Sequence, residues 1–295
     1  MLKSLTRNRC GCSRVVMPLL LEEYRIAQMY MVTKIQEQQT AGGEGVEVLI
    51  NRPFEDEEFG QGQYTSKIYH LQSKIPTWLS TFVPTKFMYI EEEAWNAYPK
   101  CKTVLKCPYL NRFKLTIETL HVADNGNSPN VHNLNKEALA ARKVENLDIG
   151  SNLKDYWSYV VGGPEIDLTK FKSEKTGRGP LTPGWQASCN PVMTAYKLVT
   201  VDVPYWGFGY RLEQALLGAE RSLFTESNKR CFHWIDEWFG LTYEDVRRME
   251  VENDRSLNQK LGKTSMESDD TENVSSSSEP VKKDASLPSS VSVRS

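Results

Sequence analysis

Residues 64–71, YTSKIYHL, have the pattern of a β-strand, in which successive side chains point to opposite faces of a sheet. One face carries Thr65, Lys67, Tyr69 and Leu71, and the other carries Tyr64, Ser66, Ile68 and His70. The strand therefore places a hydroxyl group and an ammonium group on the same face of a sheet, two positions apart.

This strand opens a longer stretch, residues 62–103, around which the rest of the chain is organised. An apolar loop that contains Trp78 follows the strand and is bracketed by prolines. The stretch ends in AWNAYP and the start of a second strand at residues 102–107. Hydroxyl, ammonium, carboxamide and carboxylate groups thus lie near an apolar loop, a mixture that suits a ligand with a polar head and an apolar body.

The middle of the chain is rich in strand patterns and the C-terminal part is rich in helix patterns. Further strands are predicted at residues 46–50, 113–119, 144–149 and 196–203. Helices are predicted at residues 19–33, 135–142, from 210 to beyond 224, and after a cap formed by Thr242 and Asp245. Loops are predicted at residues 51–62, 124–133 and 171–184.

Two residues of these strands are polar on faces that otherwise point inward. Thr119 ends the apolar face of its strand, and Lys197 shares a face with valines at positions 199, 201 and 203. Burying an unpaired ammonium group is costly. Lys197 therefore either extends to water at the strand end or meets an anion inside the protein.

Several other residues have both a structural and a functional interpretation. By spacing alone Gln28 is a surface glutamine, and Glu250 either pairs with Arg247 one turn away or faces a ligand. Ser173, between Lys172 and Glu174, is either a phosphorylation site or a structural serine.

The aromatic pair Tyr205–Trp206 lies in a tight loop between a strand and a helix. It is either a core turn or a membrane anchor, since both residue types favour the membrane interface. Trp78, Tyr205 and Trp206 are the expected membrane contacts.

Composition excludes several classes of protein. The formal net charge of −2 gives no strong field for nucleic acid. Six cysteines lack CxxC or zinc-site spacing, which predicts reduced thiols in a cytosolic protein. No apolar run approaches the roughly 20 residues of a membrane span, so only peripheral membrane contact is expected. The motifs of catalytic and metal sites are missing from the sequence, and we predict no enzyme activity, metal or cofactor.

The two ends of the chain differ from the middle. Residues 1–13 are basic, and are either a fragment of a targeting peptide or a divergent terminus. Residues 262–295 are rich in serine and lack aromatic residues, which predicts disorder. The predicted domain covers residues 14–261.

Five sequence strings resemble the phosphatidylinositol transfer proteins of the single-domain, soluble kind. They are GQYTSKIYHLQSK, AWNAYP, FKSEKTGRGPL, YKLVTV and WIDEWFGLTYEDVRRME. The resemblance is collinear over most of the chain. It implies an α+β fold of the START-like type, in which a long, curved, mostly antiparallel sheet and long helices enclose a lipid cavity.

The resemblance also implies roles for single residues. The residues that match inositol contacts are Thr65, Lys67, Glu92, Asn96 and Glu250. Those that match groups around the phosphate are Gln28, Thr103, Thr119 and Lys197, and Cys101 matches a cysteine of the cavity. Tyr205–Trp206 stands where the family often has two tryptophans, and Ser173 matches a reported phosphorylation position.

The expected function is exchange of phosphatidylinositol, and of phosphatidylcholine as a second lipid, between membranes by a cytoplasmic monomer. A phospholipid with about 30 methylene groups, at about 0.8 kcal/mol each, resists exit into water by roughly 25 kcal/mol. A cavity that replaces the bilayer removes most of that cost. The alternatives are a lipid sensor that recruits partner proteins, and a hydrolase or cyclase on the same fold.

Overall fold

The computed structural model describes residues 9–41, 43–71, 89–205, 207 and 209–263. Its strands are β1 (Arg9–Met17), β2 (Gly45–Asp56), β3 (Gly60–His70), β4 (Tyr89–Ala97), β5 (Lys100–Cys107), β6 (Leu110–Val122), β7 (Lys143–Leu147) and β8 (Met193–Asp202). These eight strands form one sheet in the order β2–β3–β4–β5–β6–β8–β1–β7. All neighbouring strands are antiparallel except β1 and β7, which are parallel. The predicted α+β class with a mostly antiparallel sheet is confirmed.

The helices are α1 (Leu21–Gln39), α2 (Lys136–Ala141), α3 (Tyr156–Val161), α4 (Gly209–His233), α5 (Ile235–Trp238) and α6 (Tyr243–Lys260). Helix α1 packs against both α4 and α6. The Tyr24 hydroxyl donates to Asn228 Oδ1 at 2.8 Å, and the Arg25 guanidinium lies 4.2 Å from the Tyr243 ring centroid. Within the described ranges, no helix is both long and apolar enough to cross a bilayer.

The largest hydrophobic cluster lies where the middle of the sheet meets α1 and α4. It includes Val15, Leu115 and Val199 from the sheet, together with Ala27 and Phe224 from the helices. Each fully buried aliphatic or aromatic side chain contributes about 1.5–3 kcal/mol. This cluster holds the two helices against one face of β1, β6 and β8.

The β2–β3 hairpin is longer than the sequence predicted. Residues 51–62 were predicted to form an acidic loop, but both strands continue through most of this range and leave a turn at residues 57–59. The prediction was wrong because two aromatic residues in the range, Phe54 and Phe59, pack against Tyr64, Trp95 and Val104. The acidic side chains are accommodated because this end of the hairpin is largely exposed.

Two further boundaries differ from the sequence prediction. Strand β1 begins at Arg9 and lies between β7 and β8, so residues 9–13 belong to the sheet although they were assigned to the divergent terminus. Helix α1 continues six residues beyond the predicted end at residue 33, because Ile35 and Gln36 extend its buried side. The end of α1 matters for function, since Gln36 lies beside Lys67.

Helix α6 is fastened to β2 by one side chain. The Asn258 amide accepts a hydrogen bond from the Val48 backbone N–H and donates one to the Val48 carbonyl, both at 2.8 Å. The contact is buried and lies beside a β-bulge between Val48 and Ile50, where the pairing of β2 with β3 shifts. Asn258 therefore pairs with the backbone of β2 as another strand would.

We expect Asn258→Ala to lower the free energy of unfolding by about 2–4 kcal/mol, because a buried N–H and a buried carbonyl lose their partners. Urea denaturation monitored by circular dichroism measures this change. Gln259→Ala, on the exposed side of the same helix, is the matched control and should change stability by less than about 0.5 kcal/mol. Equal stability of the two variants would contradict the assigned contact.

Candidate functional site

A cavity of about 340 Å³ lies between the sheet and helices α1, α4 and α6. We call it the inner cavity. All ten cavity residues singled out from the sequence line it: Gln28, Thr65, Lys67, Glu92, Asn96, Cys101, Thr103, Thr119, Lys197 and Glu250. Residues from five strands and two helices are thus brought to one place.

The register of the sheet explains how the strand residues meet. One row of directly paired residues crosses β3, β4, β5, β6 and β8, and consists of Gln63, Asn96, Cys101, Thr119 and Lys197. Residues directly opposite on neighbouring strands project to the same face. This polar row therefore crosses the floor of the inner cavity. Two further pairs of directly opposed residues, Thr103–Ala94 and Lys67–Glu92, lie to one side of the row.

Lys67 lies in the inner cavity and is only 4% exposed. Its ammonium donates to Gln36 Oε1 at 3.2 Å, and the Gln36 amide donates to the Tyr69 hydroxyl at 3.3 Å. The Tyr69 hydroxyl donates in turn to Glu92 Oε1 at 3.2 Å. Within the described residues, the Lys67 ammonium donates this hydrogen bond to a neutral amide. Because an ammonium group has three N–H donors, it can also donate to a ligand.

Burial raises the pKa of Glu92, and the charge of Lys67 opposes that shift. The carboxyl group therefore holds its proton to higher pH than usual, and in its protonated form it both donates and accepts hydrogen bonds. A polyol, whose hydroxyl groups also donate and accept, matches this set of groups.

Helix α6 closes one side of the inner cavity with Glu250. Glu250 forms an ion pair with Arg247 and also accepts a hydrogen bond from Asn51 Nδ2 at 3.3 Å. Asn51 Nδ2 donates to Asp254 Oδ2 at 2.7 Å, and Gln63 donates to Asn51 Oδ1 at 2.6 Å. The pairing of Glu250 with Arg247 is confirmed, and its position in the cavity lining leaves the contact with a ligand as a prediction.

Lys197 lies at the other end of the polar row. It is in the middle of β8 and its Nζ is 4.7 Å from the Phe224 ring centroid, so it does not extend to water at a strand end. Burial lowers the pKa of Lys197.

Cys101 lies in the same polar row. Burial raises the pKa of Cys101 to about 11, and the Cys101 thiol donates to Asn96 Oδ1 at 2.8 Å. Cys101 is therefore a protonated thiol at neutral pH.

A family model described as phosphatidylinositol transfer protein matches residues 13–255. The chain belongs to the phosphatidylinositol transfer protein family. Phosphatidylinositol transfer protein 1 of Dictyostelium discoideum is 46% identical over 251 residues, which cover 84% of this chain and 94% of that relative. Phosphatidylinositol transfer protein 2 of the same organism is 42% identical over 252 residues, or 84% of this chain and 95% of the relative.

A longer relative matches with one part of its chain. The protein retinal degeneration B of Drosophila melanogaster is 39% identical over 274 residues, which cover 88% of this chain but 22% of that protein. Most of the present chain is therefore similar to one segment of a much larger protein.

Several polar residues of the inner cavity were missed by the sequence analysis, among them Gln36, His121 and Glu220. Gln36 was missed because the predicted helix ended too early. His121 continues the alternation of residues 117 and 119, so a signal was present. Glu220 lies four residues after Leu216 and four before Phe224, on the apolar stripe of α4, and this spacing was the available signal.

His121 is held as a neutral ring. Burial lowers its pKa to about 3, and its Nδ1 donates to the Pro99 carbonyl at 2.9 Å. Its ring stacks on Tyr98, with the centroids 4.9 Å apart, and Nε2 is buried with no partner in the described part of the chain. His121 therefore offers an uncharged acceptor to the inner cavity.

Ser173 lies outside the inner cavity and has a structural role in this conformation. It is 2% exposed, its hydroxyl donates to Asp236 Oδ1 at 2.5 Å, and it accepts from the Thr176 N–H at 3.0 Å. Although burial acts in the opposite direction, hydrogen bonds from Ser173 and from two backbone N–H groups lower the pKa of Asp236. A kinase can reach this hydroxyl only after the loop opens.

We expect Ser173→Ala to cost about 1–2 kcal/mol of unfolding free energy and Ser173→Glu about 3 kcal/mol or more, because the second change places a carboxylate beside Asp236. Urea denaturation measures both. Thr182→Glu, at an exposed position of the same loop, is the control and should be nearly neutral. A Ser173→Glu protein as stable as wild type would show that the hydroxyl does not hold the loop.

The predicted membrane contacts are only partly described. Trp78 and Trp206 lie outside the described residues. Tyr205 is half-buried, packs against the main hydrophobic cluster and accepts a hydrogen bond from the Arg112 N–H at 3.0 Å. Its ring is therefore partly engaged in the fold, and its membrane contact stays a prediction.

All six cysteines are free. Among the described residues, no group of three or more histidine, cysteine, aspartate or glutamate side chains is placed to hold a metal ion. Several polar groups of the inner cavity instead form hydrogen bonds to one another, as in the chain from Lys67 to Glu92.

Proposed function

We propose that this protein binds one phosphatidylinositol molecule in the inner cavity and exchanges it between membranes. The observation that carries the proposal is the polar row on the floor of the inner cavity, which ends at Lys197 on β8, together with the buried Lys67 on β3. Two ammonium groups and several hydroxyls suit a phosphodiester, because hydrogen bonds between charged groups are strong. The chain's family and its relatives, which are named for this transfer, support the same conclusion.

The two ends of the row suggest how the headgroup is oriented. We assign the inositol ring to the side of β3, β4 and α6, where it meets Thr65, Lys67, Glu92, Asn96 and Glu250. We assign the phosphate to the side of β8 and α1, where it meets Gln28, Thr103, Thr119 and Lys197, with Cys101 between the two. The resemblance to the family implies this assignment, and charge supports it, since the Lys197 side has an ammonium beside hydroxyls and the Lys67 side mixes donors and acceptors.

Phosphatidylcholine is the proposed second lipid, carried in the same cavity. Transfer changes no covalent bond, so the protein is not proposed to be an enzyme and needs no cofactor. It acts in the cytoplasm as a monomer that contacts the membrane surface transiently, and nucleic acid is not a partner.

A vesicle assay tests the proposal. Purified protein is mixed with donor vesicles that contain labelled phosphatidylinositol and phosphatidylcholine, and with unlabelled acceptor vesicles. We expect both labels to reach the acceptor unchanged, and native mass spectrometry to show one phospholipid per chain. A lipid sensor would bind lipid but move little of it, and an enzyme would convert one of the labels.

A further inference from the structure

Glu220 lines two cavities. On one side it lines the inner cavity, and on the other it lines a cavity of about 480 Å³ between α4, strand β1 and the edge strand β7. Phe224 lies one turn further along α4, and side chains four residues apart share one side of a helix. Because Lys197 Nζ lies 4.7 Å from the Phe224 ring centroid, Glu220 faces the lysine end of the polar row.

One carboxyl oxygen of Glu220 has no protein partner. Oε2 is buried, and no hydrogen bond to it is formed by the described residues. A buried oxygen without a partner is unfavourable, because it loses its hydrogen bonds to water and gains none. Among the described residues that line the inner cavity, His121 Nε2 is the other buried side-chain atom without a partner. A ligand that fills the inner cavity would therefore supply the missing partner.

We propose that Glu220 selects phospholipid headgroups by charge, favouring anionic phosphodiesters when it is a neutral acid and zwitterionic lipids with a quaternary ammonium group when it is ionised. This inference rests on the proposed function. A neutral carboxyl donates a hydrogen bond to the phosphodiester held by Lys197. An ionised one repels that phosphodiester, unless a cationic group of the same headgroup lies beside it.

The charged surroundings set the pH at which this selection changes. Burial raises the pKa of Glu220 to about 7, and Lys197 opposes the shift. The acidic and thiol groups that line the two cavities with Glu220 are Glu92, Glu145, Glu250, Cys10, Cys12 and Cys101. The basic groups are Arg25, Lys67, Lys100, Lys143, Lys197, Arg247 and His121, and three tyrosines, Tyr69, Tyr98 and Tyr243, also line the inner cavity. Arg221 on the same helix is paired with Asp155 and Glu145.

The direction of the effect follows from linkage. Below pH 7 the carboxyl is protonated and the cavity is more positive, so the anionic lipid is favoured. Above pH 7 the carboxylate forms, and the zwitterionic lipid makes up a larger share of the bound lipid. One proton linked to this choice changes the ratio of the two bound lipids by about tenfold between pH 6 and pH 8.

The test loads the full-length protein from vesicles that contain equal amounts of phosphatidylinositol and phosphatidylcholine, at pH 6, 7 and 8. Native mass spectrometry then measures the ratio of the two bound lipids. We expect the wild-type ratio to fall with pH, and that of Glu220→Gln to stay high and constant. Since burial also raises the pKa of Glu92, the pH profile of the variant identifies which carboxyl group is responsible.

Two further variants complete the experiment. Glu220→Asp keeps a carboxyl group and should keep a pH-dependent ratio, which a purely structural role would not predict. Glu118→Gln, at an exposed position of β6, should behave as wild type. If Glu220→Gln is loaded with lipid and has the wild-type pH profile, this inference is wrong and the proposed function still stands. If neither wild type nor variant carries phospholipid, the proposed function fails and the inference fails with it.

Discussion

Replacing Lys67 with alanine is expected to reduce phosphatidylinositol transfer between vesicles by roughly 10- to 150-fold. The reason is the loss of the proposed hydrogen bond from the Lys67 ammonium group to the inositol ring, since a buried hydrogen bond from a charged group is worth about 1.5–3 kcal/mol. Phosphatidylcholine has no ring hydroxyl to pair with Lys67, so its transfer should stay within about twofold of wild type. The two labelled lipids are measured on the same folded protein.

The sheet offers a matched control for this experiment. Lys102 lies on β5 between two residues of the inner cavity, Cys101 and Thr103, and strand alternation points its side chain to the opposite face. Lys102→Ala should transfer both lipids normally. If Lys67→Ala lowers the transfer of both lipids equally, Lys67 supports the fold or the closure of the cavity, and its assignment to the headgroup is wrong.

Replacing both Tyr205 and Trp206 with alanine is expected to lower the transfer of every lipid by at least about tenfold. Burying an aromatic side chain contributes about 1.5–3 kcal/mol, so two such losses weaken membrane docking whatever headgroup is carried. Vesicle cosedimentation measures docking and the transfer assay measures exchange. The ratio of the two lipids should not change, in contrast to Lys67→Ala.

The partial burial of Tyr205 requires a second variant. Tyr205→Phe removes only the hydroxyl that accepts from the Arg112 N–H, and keeps the ring. It should dock and transfer normally if the ring contacts the membrane. Loss of folding in the double variant, seen by circular dichroism, would favour the core interpretation. Normal docking by a folded double variant would also contradict the membrane prediction.

Several features of the cavity could be predicted from the sequence, because they depend on local geometry. In a strand the side chains alternate, so Thr65 and Lys67 share one face wherever the strand is placed. The same rule put Thr119 and Lys197 on inward faces. The cap formed by Thr242 and Asp245 is equally local, and its hydrogen bonds, 3.0 and 3.1 Å long, are present. The resemblance to the family extended these predictions to Asn96 and Thr103.

Local patterns could not determine how the strands are aligned with one another. Asn96, Cys101, Thr119 and Lys197 form one row because of the register of four strands, which is set by the packing of the whole sheet. The same limit explains the error at residues 51–62. Their charge predicted a loop, whereas Phe54 and Phe59 pack against an aromatic cluster on other strands.

The helix positions depended most on tertiary structure. Asn258 binds the backbone of Val48, 210 positions earlier in the chain, and Asn51 reaches Glu250 across 199 positions. The spacing within α6 gave Glu250 two possible roles, and only the docking of α6 on β2 shows that it both pairs with Arg247 and lines the inner cavity. Contacts between distant elements also bury Ser173 against Asp236. In the same way they place the unpartnered oxygen of Glu220 on the Lys197 side of the inner cavity. Sequence determined which side chains share a face of one element, because backbone geometry sets that locally, while tertiary packing decided which faces meet.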